Sequence, residues 1–520
     1  MTRILQVGCG ATGTALARQL LPMLGSAHRP IRYVIAGKSA PGFGTAFATR
    51  HEVHLLNVAV GSMSLHPRDP AEFCRWRIEN APVWSRYFTE PSVGWGEYPP
   101  RRLFGMYARE VLSNALAETR HSSVDASMNA EEVLGISAEG DGRWRARFAS
   151  GRSEESFDFV LLALGHAPRS KFEPGIDGDG YHSNPWASEN GIPREASVAI
   201  LGSRLSAIDS ALQLGASGHL GRIVMASRTG SLPNVKGPIG EHTLRFVPAY
   251  VADQRLLGRD GRVTLAEIAS VVASEISLND TPYARWTETI ACHVTTPERL
   301  ERDLELAESG AHRHWQSVLA AIVPLIPALW RLMDESGRHE LSTTYRTAWM
   351  TRVASFPSVS AHRLLRMMNA GQLSVLGSLK QTSNDDDGYR LAFENSDEPL
   401  HADHVVNATG PGFGSDAVSS VPLTRCLIDD GLAEMHPGGG LRLAPETFHV
   451  LAPNGAPQPG LFLLGDFSRS VWGATNTVAG VVRQAEILAQ HVASELNRRE
   501  SAGESGTRCE ERASGVEVLR

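Results

Sequence analysis

Met1-Thr-Arg-Ile-Leu-Gln-Val-Gly-Cys-Gly-Ala-Thr-Gly-Thr-Ala15 opens the chain, and its reading decides the fold. Ile4 to Val7 is a short apolar run suited to a buried parallel strand. It breaks into Gly8-x-Gly10-x-x-Gly13 and then into a run, Thr14 to Leu24, that reads as a helix. Strand, glycine turn and helix in that order make the dinucleotide fingerprint. Gly8 allows the tight turn, Gly10 lets the backbone approach a pyrophosphate, and Gly13 lets helix and strand pack closely. The phosphate would sit on the free N–H groups at the positive end of the helix, with Thr12 among its contacts. Glycine-rich turns are common, so the weight rests on the strand before it and the helix after it.

A chain of 520 residues is long enough for roughly three domains at ~150 residues each. With 42% hydrophobic and 21% charged residues, the composition is that of an ordinary globular protein. A formal charge of −7 argues against a nucleic-acid or anionic-membrane partner. No run of ~18 apolar residues suggests a transmembrane helix, and the N-terminus enters a strand directly, with no leader pattern. The five cysteines (Cys9, Cys74, Cys292, Cys426, Cys509) are scattered and lack CxxC spacing. They read as reduced thiols in a cytoplasmic protein, with no metal site, and Cys9 as a small buried residue.

Ile31 to Ala36 reads as the second strand. An acid is expected at its end to bind an adenosine ribose, but the chain reads Ala36-Gly37-Lys38. A long connection rich in small residues follows, containing Pro41-Gly42-Phe43-Gly44 and His54-Leu55-Leu56-Asn57-Val58; long structured loops are usually functional. Pro99-Pro100-Arg101 reads as a helix start. Two near-repeats then stand out: Asp158-Phe-Val-Leu-Leu-Ala-Leu-Gly165-His166 and Asp403-His-Val-Val-Asn-Ala-Thr-Gly410-Pro411. Each is a buried strand ending at a glycine, suited to passing close to a bound cofactor.

Between them lies a second nucleotide-like unit: strand Val198 to Leu201, Gly202-Ser203-Arg204, a helix to Leu214, and strand Arg222 to Ala226. Arg204 takes the place of the middle glycine, so either it pairs with phosphates itself or the site is degraded. Arg228, at the end of the next strand, suits a 2′-phosphate and hence NADPH over NADH; its plain alternative is a solvated arginine. Leu265 to Met333 reads as helical, with Trp315, Val318, Ile322 and Trp330 as core. Arg346, Arg352, Arg363 and Arg366 read as a solvated helix face before an anion site, and Asn384 to Gly388 as a hairpin turn. The polar tail, residues 498–520, reads as disordered.

The last informative stretch is Gly460-Leu-Phe-Leu-Leu-Gly465-Asp466, followed by Trp472-Gly-Ala-Thr-Asn476-Thr477-Val478 and a helix from Ala479 to Ala493. A strand ending in Gly-Asp puts a carboxylate at the sheet edge, where it can accept from a ribityl hydroxyl. Asn476 or Thr477 can cap the helix, whose positive end would face a flavin carbonyl. The alternative for Gly465-Asp466 alone is a plain turn.

Together these residues resemble the flavoproteins with two dinucleotide-binding domains. More narrowly, the chain is similar to the FAD/NAD(P)-binding family that includes FAD-dependent urate hydroxylase and the nitrosuccinate-forming aspartate N-monooxygenase. The resemblance rests on the first glycine turn, Gly42-x-Gly44-x-Ala46-Phe47, His54 to Val58, Pro100-Arg101 with Gly105 and Tyr107, Ser227-Arg228 with Gly230, Leu232 and Pro233, and Asn407 to Pro411. It spans the chain to about residue 495. It implies an α/β fold with two Rossmann-like domains: an FAD domain from 1–170 and 395–497, and an inserted NAD(P) domain from 171–394 with a helical region at 255–370. It implies FAD as cofactor, NADPH (or NADH) as reductant, and a monooxygenase using molecular oxygen through a flavin C4a-hydroperoxide on a small nitrogen-containing substrate. Asn57 and Arg101 are the candidates beside the flavin or substrate. Two other readings stay open: a reductase or dehydrogenase without oxygen insertion, and a non-enzymatic flavin-bound scaffold or redox sensor with a decayed nicotinamide site.

Overall fold

Apolar runs that end at glycines build two mainly parallel sheets, the first with an antiparallel edge strand, each accompanied by a small antiparallel sheet. The computed structural model describes all residues except 27–29, 89–96, 152, 169–175, 187–190, 279–292, 311–312, 386, 474 and 515–520, and the side chains of 153–155, 385 and 500–514. The strands of the first unit are β1 (Thr2–Val7), β2 (Ile31–Ala36), β3 (Val124–Asn129), β4 (Val133–Ala138), β5 (Trp144–Phe148), β6 (Ser153–Phe157) and β7 (Phe159–Leu162). Those of the second are β8 (Tyr181–His182), β9 (Val198–Leu201), β10 (Ile223–Ala226), β11 (Leu373–Leu376), β12 (Leu379–Asp385), β13 (Gly388–Phe393), β14 (Ser396–Ala402) and β15 (His404–Asn407). β16 (His449–Leu451) and β17 (Pro457–Leu463) rejoin the first unit.

The first sheet runs β16-β17-β7-β1-β2-β3. β1 lies between β2 and β7, parallel to both, with Ile4 opposite Tyr33 on one side and Phe159 on the other. Ile4, Leu5, Val160, Leu161, Phe462 and Leu463 are fully buried, as expected of strands covered on both faces. The helix Ala11–Gly25 covers one face and meets the C-terminal helix, where Gln19 Nε2 donates to the Val482 carbonyl at 3.1 Å.

The second sheet runs β11-β10-β9-β15-β8 and is parallel throughout. The near-repeats in sequence are equivalent strands: β7 pairs with β1, and β15 with β9. Each follows a three-stranded antiparallel sheet, β4-β5-β6 in one unit and β12-β13-β14 in the other. The expected turn after Asn384 is the β12–β13 hairpin, with Asp385 opposite Gly388; Asp386 lies outside the described residues. The boundary expected at 395 is displaced. β15 stays with the second sheet because Val405 and Val406 align with Ala199 and Ile200, so the chain crosses back after Asn407. The two crossing segments touch, bridging at Ala167 and Gly412.

The helices Phe246–Leu256, Leu265–Ser277, His314–Ile322 and Ile326–Leu332 form a core of their own around Val247, Ile268, Ile276, Val318, Ile322 and Leu332. A capping box starts the second of them: Thr264 accepts from the Glu267 N–H while Glu267 accepts from Thr264. Trp315 packs against this core. Trp330 does not act as a simple core residue; its indole N–H reaches the Ser470 carbonyl at 2.8 Å and ties the helices to the first unit. The stretch His314–Leu332 is long and apolar enough to cross a membrane by length and composition, but its Val318, Ile322, Leu329 and Leu332 are buried in this helical core. The expected tail overlaps the last helix as far as Ser514, and 515–520 lie outside the described residues. The last helix runs Val478–Ser514, since its Ala, Glu and Arg content favours helix over disorder. Cys9, Cys74 and Cys426 are free thiols; Cys292 and the Cys509 side chain lie outside the described atoms.

Candidate functional site

At the carboxyl end of β1, Gly8 adopts φ +110°, and a Cβ there would stand 2.1 Å from the Ala163 carbonyl oxygen at the end of β7. A Cβ on Gly13 would stand 2.1 Å from the Gly8 carbonyl oxygen. A residue that the fingerprint does not include holds this turn. Gln6, fully buried, donates from Nε2 to the carbonyls of Gly8 (2.8 Å) and Gly13 (3.1 Å) and accepts from the Tyr33 hydroxyl at 2.6 Å. Gly10 is the N-cap of the first helix and offers no side-chain cap, nor is there an acid in the first turn. Its N–H groups therefore meet the requirements of a pyrophosphate. The Gly42–Phe47 loop folds over this turn: the Gly42 N–H donates to Cys9 O at 2.8 Å, and a Cβ on Gly10 would stand 3.1 Å from Gly44 Cα. Thr12 faces Gly465, at the end of β17. No acid stands at the end of β2; Lys38 there pairs with Glu132 at 2.8 Å.

The second turn repeats the first. Gly202 has φ +115°, and a Cβ on it would stand 2.8 Å from Ala408 O, the counterpart of Ala163. Arg204 is the N-cap of the helix Leu205–Ala216 at φ −105°, ψ −165°, close to the φ −75°, ψ −166° of Gly10. Ser203 pairs with Ser227 at 2.9 Å, and the Ser227 hydroxyl accepts from the Gly230 N–H, shaping the turn from which Arg228 projects, exposed. Gly165 and Gly410, at matching places after β7 and β15, both have positive φ and open space where a Cβ would be.

The carboxyl ends of β10 and β17 converge on Arg346, which has Arg228, Arg469 and Asp466 within electrostatic reach; burial holds its guanidinium pKa below the usual value. Asp466, the expected ribityl acceptor, follows β17. Its carboxylate is 4% exposed and already filled: Oδ2 takes His166 Nδ1 at 2.7 Å and Arg469 Nη2 at 2.5 Å, and Oδ1 takes Arg469 Nε at 2.9 Å and Thr475 at 3.4 Å. Burial would raise this carboxyl, but the His166 hydrogen bond and the Arg469 charge outweigh it and hold the group well below the carboxylate range. Asp466 thus positions His166 and Arg469. Arg469 also lies 4.0 Å above the Phe413 ring. Thr477 caps the last helix, accepting from the Gly480 N–H at 3.1 Å, and Asn476 beside it is exposed.

Arg101 is likewise committed. Nη1 meets Asp209 at 2.7 Å, with side chains only 12% and 7% exposed, and Nε donates to Leu55 O at 3.1 Å. Asp209 belongs to the helix after the second glycine turn, so this pair joins the two units. His54 reinforces the junction. Its Nε2 donates to the Asp209 carbonyl at 3.2 Å, which leaves Nδ1 to accept from the Thr49 hydroxyl at 2.7 Å. Burial lowers the His54 pKa to about 4. The Asn57 carbonyl accepts from Lys236 Nζ, and burial lowers that lysine to about 8. Lys236 sits 5.6 Å from the Tyr98 ring and belongs to no recognisable motif. The four arginines read as one face do not share one. Arg352 is buried on Asn234 and 6.0 Å from the Trp315 ring, Arg346 reaches the cleft, and Arg366 is exposed.

Residues 6–167 match the FAD-NAD(P)-binding family, so the first glycine turn belongs to a domain of that class. A more particular relative is the nitrosuccinic acid synthase of Aspergillus oryzae, 28% identical over 171 residues. That match takes in 31% of this chain and spans only 26% of the relative's length. The whole fold is shared with the ornithine hydroxylase of Pseudomonas aeruginosa (TM-score 0.54, 14% identity, 95% of this chain and 99% of that one). It is shared also with the L-lysine 6-monooxygenase of Pseudomonas syringae (TM-score 0.55, 15% identity, 96% and 99%).

Proposed function

We propose that this protein is an FAD- and NADPH-dependent monooxygenase that hydroxylates the nitrogen of a small amine. The observation that carries the reading is the convergence of two glycine turns, on equivalent sheets, toward the Arg228–Arg346–Arg469 cluster. The names of the similar proteins, an ornithine hydroxylase, an L-lysine 6-monooxygenase and a nitrosuccinic acid synthase, support the same class. When bound, FAD supplies the oxygen chemistry and NADPH the electrons. The protein's part is to hold and orient. Gly8, Gly10, Thr12 and Gly13 cradle the FAD pyrophosphate, Gly165 and Gly465 line its path, and Thr477 directs the last helix toward the flavin. Gly202 and Arg204 take the NADPH pyrophosphate, Arg228 its 2′-phosphate, and Gly410 leaves room beside them. Lys236, a half-buried cation next to Asn57, is a suitable anchor for a substrate carboxylate.

The test is oxygen uptake and NADPH oxidation by FAD-loaded protein with ornithine, lysine and aspartate, alongside a direct assay for N-hydroxylated product. Substrate-linked uptake with product is expected. NADPH oxidation that yields hydrogen peroxide alone, whichever amine is offered, would leave a reductase. Arg204 is the one observation favouring the scaffold reading, and failure of both nicotinamides to bleach the flavin would support it.

A further inference from the structure

His449, His491 and Glu495 come together where β16 meets the C-terminal helix, apart from every residue assigned to the nucleotide cleft. His491 and Glu495 are four residues apart on that helix, so both side chains leave one face. β16, at the sheet edge, brings His449 across to them. His449 Nε2 lies 3.4 Å from Glu495 Oε2, and His491 Nε2 lies 3.5 Å from the same oxygen. All three ligand atoms fall within 4.8 Å of one another. Zinc bonds of about 2.0–2.1 Å in a tetrahedron place ligand atoms roughly 3.3 Å apart, close to these separations.

The surroundings set each ligand's orientation. His449 Nδ1 pairs with Thr447 Oγ1 at 2.9 Å, and donation there leaves the Nε2 lone pair facing Glu495. His491 Nε2 is enclosed and makes no aligned hydrogen bond. Arg499 Nη2 holds the other carboxylate oxygen of Glu495 at 2.7 Å, while its guanidinium rests 4.4 Å from the Phe159 ring. Oε2 is thereby turned toward the two imidazoles. The Phe462 ring, 4.3 Å from His449, walls one side.

We propose that His449, His491 and Glu495 form a divalent transition-metal site, suited to Zn²⁺, that ties the C-terminal helix to β16. Two imidazoles and one carboxylate favour Zn²⁺ over Mg²⁺ or Ca²⁺, and water completes the coordination. The site is structural. His491 is fourteen residues along the helix from the Thr477 cap, about 21 Å, too far to touch the proposed flavin position.

The experiment uses the full-length protein, stripped with chelator and titrated with Zn²⁺ by calorimetry and with Co²⁺ by visible absorption. One equivalent of Zn²⁺ should bind and raise the thermal midpoint, and Co²⁺ should give the intense ligand-field bands of a tetrahedral site. His449→Gln and Glu495→Gln should each abolish binding, and Thr447→Ala should weaken it roughly 10–100-fold. His121→Gln, at an exposed histidine elsewhere, should change nothing. Circular dichroism of each variant establishes that it is folded. The proposal is overturned if the wild type binds no Zn²⁺, or if binding survives in both ligand variants.

Discussion

Replacing Arg101 tests whether that residue joins the two units or serves the reaction. Arg101→Met removes the guanidinium but keeps the length of the stem. It leaves the Asp209 carboxylate 7% exposed, with the Trp186 indole N–H at 3.3 Å as a remaining donor. Stranding a buried charge in this way costs about 3–5 kcal/mol. The Trp186 contact puts the expected loss near the lower end, about 3 kcal/mol, a factor of roughly 150 in the folding equilibrium. Arg101→Met with Asp209→Asn removes both charges and should recover most of that loss. The assay is urea denaturation followed by tryptophan emission for wild type, both single variants and the double, with bound FAD measured in each. A coupling energy of at least 2 kcal/mol, an order-of-magnitude expectation for a buried ion pair, is the predicted result. Activity should return with stability in the double variant. If the double variant is as stable as wild type yet inactive, Arg101 acts on flavin or substrate, and its role as a joint between the units is refuted.

Three further outcomes follow from the same geometry. His54 is held neutral, with an ordinary value of 6.5 lowered to about 4 in the fold, so the unfolded chain binds the extra proton between those limits. Stability should therefore fall by about 3 kcal/mol as pH drops from 6.5 to 4, and a His54→Gln variant should lack that part of the slope; equal slopes would refute it. Lys236, lowered to about 8, carries its charge below that pH, so KM for a carboxylate-bearing substrate should rise as pH passes 8. Lys236→Gln should show a high KM with no such dependence, and an unchanged KM would remove Lys236 from the substrate site. Arg228→Ala should weaken NADPH selectively and Arg204→Ala both nicotinamides, read by anaerobic bleaching of bound FAD. Arg204→Gly speeding reduction would mark the arginine as an obstruction.

What can be read in the sequence is local. β2 and β9 match their expected ranges because each is an apolar run bounded by turn residues, and the near-repeat of β7 and β15 is a true structural equivalence. The return point to the first unit differs from expectation because Val405-Val406 would suit a buried strand in either sheet; only its alignment with Ala199 and Ile200 decides. Asp466 is visible as a carboxylate at a strand end, but not His166, 300 residues away, which occupies it. Gln6 sits inside the first strand and reads as a polar interruption until its two carbonyl partners are seen. Arg346 and Lys236 belong to segments without motif or period, and only the fold shows their neighbours, Arg228, Arg469 and Asp466 around the first and the Asn57 carbonyl at the second.

The equivalence of the two units bears directly on Arg204. A glycine in a phosphate turn serves either to permit a positive φ or to clear space. Gly8 and Gly202 do the first, and both are retained at φ +110° and +115°. Gly10 and Arg204 both sit at negative φ as helix N-caps, so the arginine costs nothing in backbone strain and changes only the space and charge before the helix. What it adds is positive charge, at the positive end of a helix. Arg346 is exposed at the cleft, and partial desolvation together with the Arg469 and Arg228 charges lowers its value, with Asp466 acting in the opposite direction. A ligand carrying several phosphate charges would meet Arg228, Arg346 and Arg469 together with the helix N-terminus, and that is the physical case for a second nucleotide at this turn.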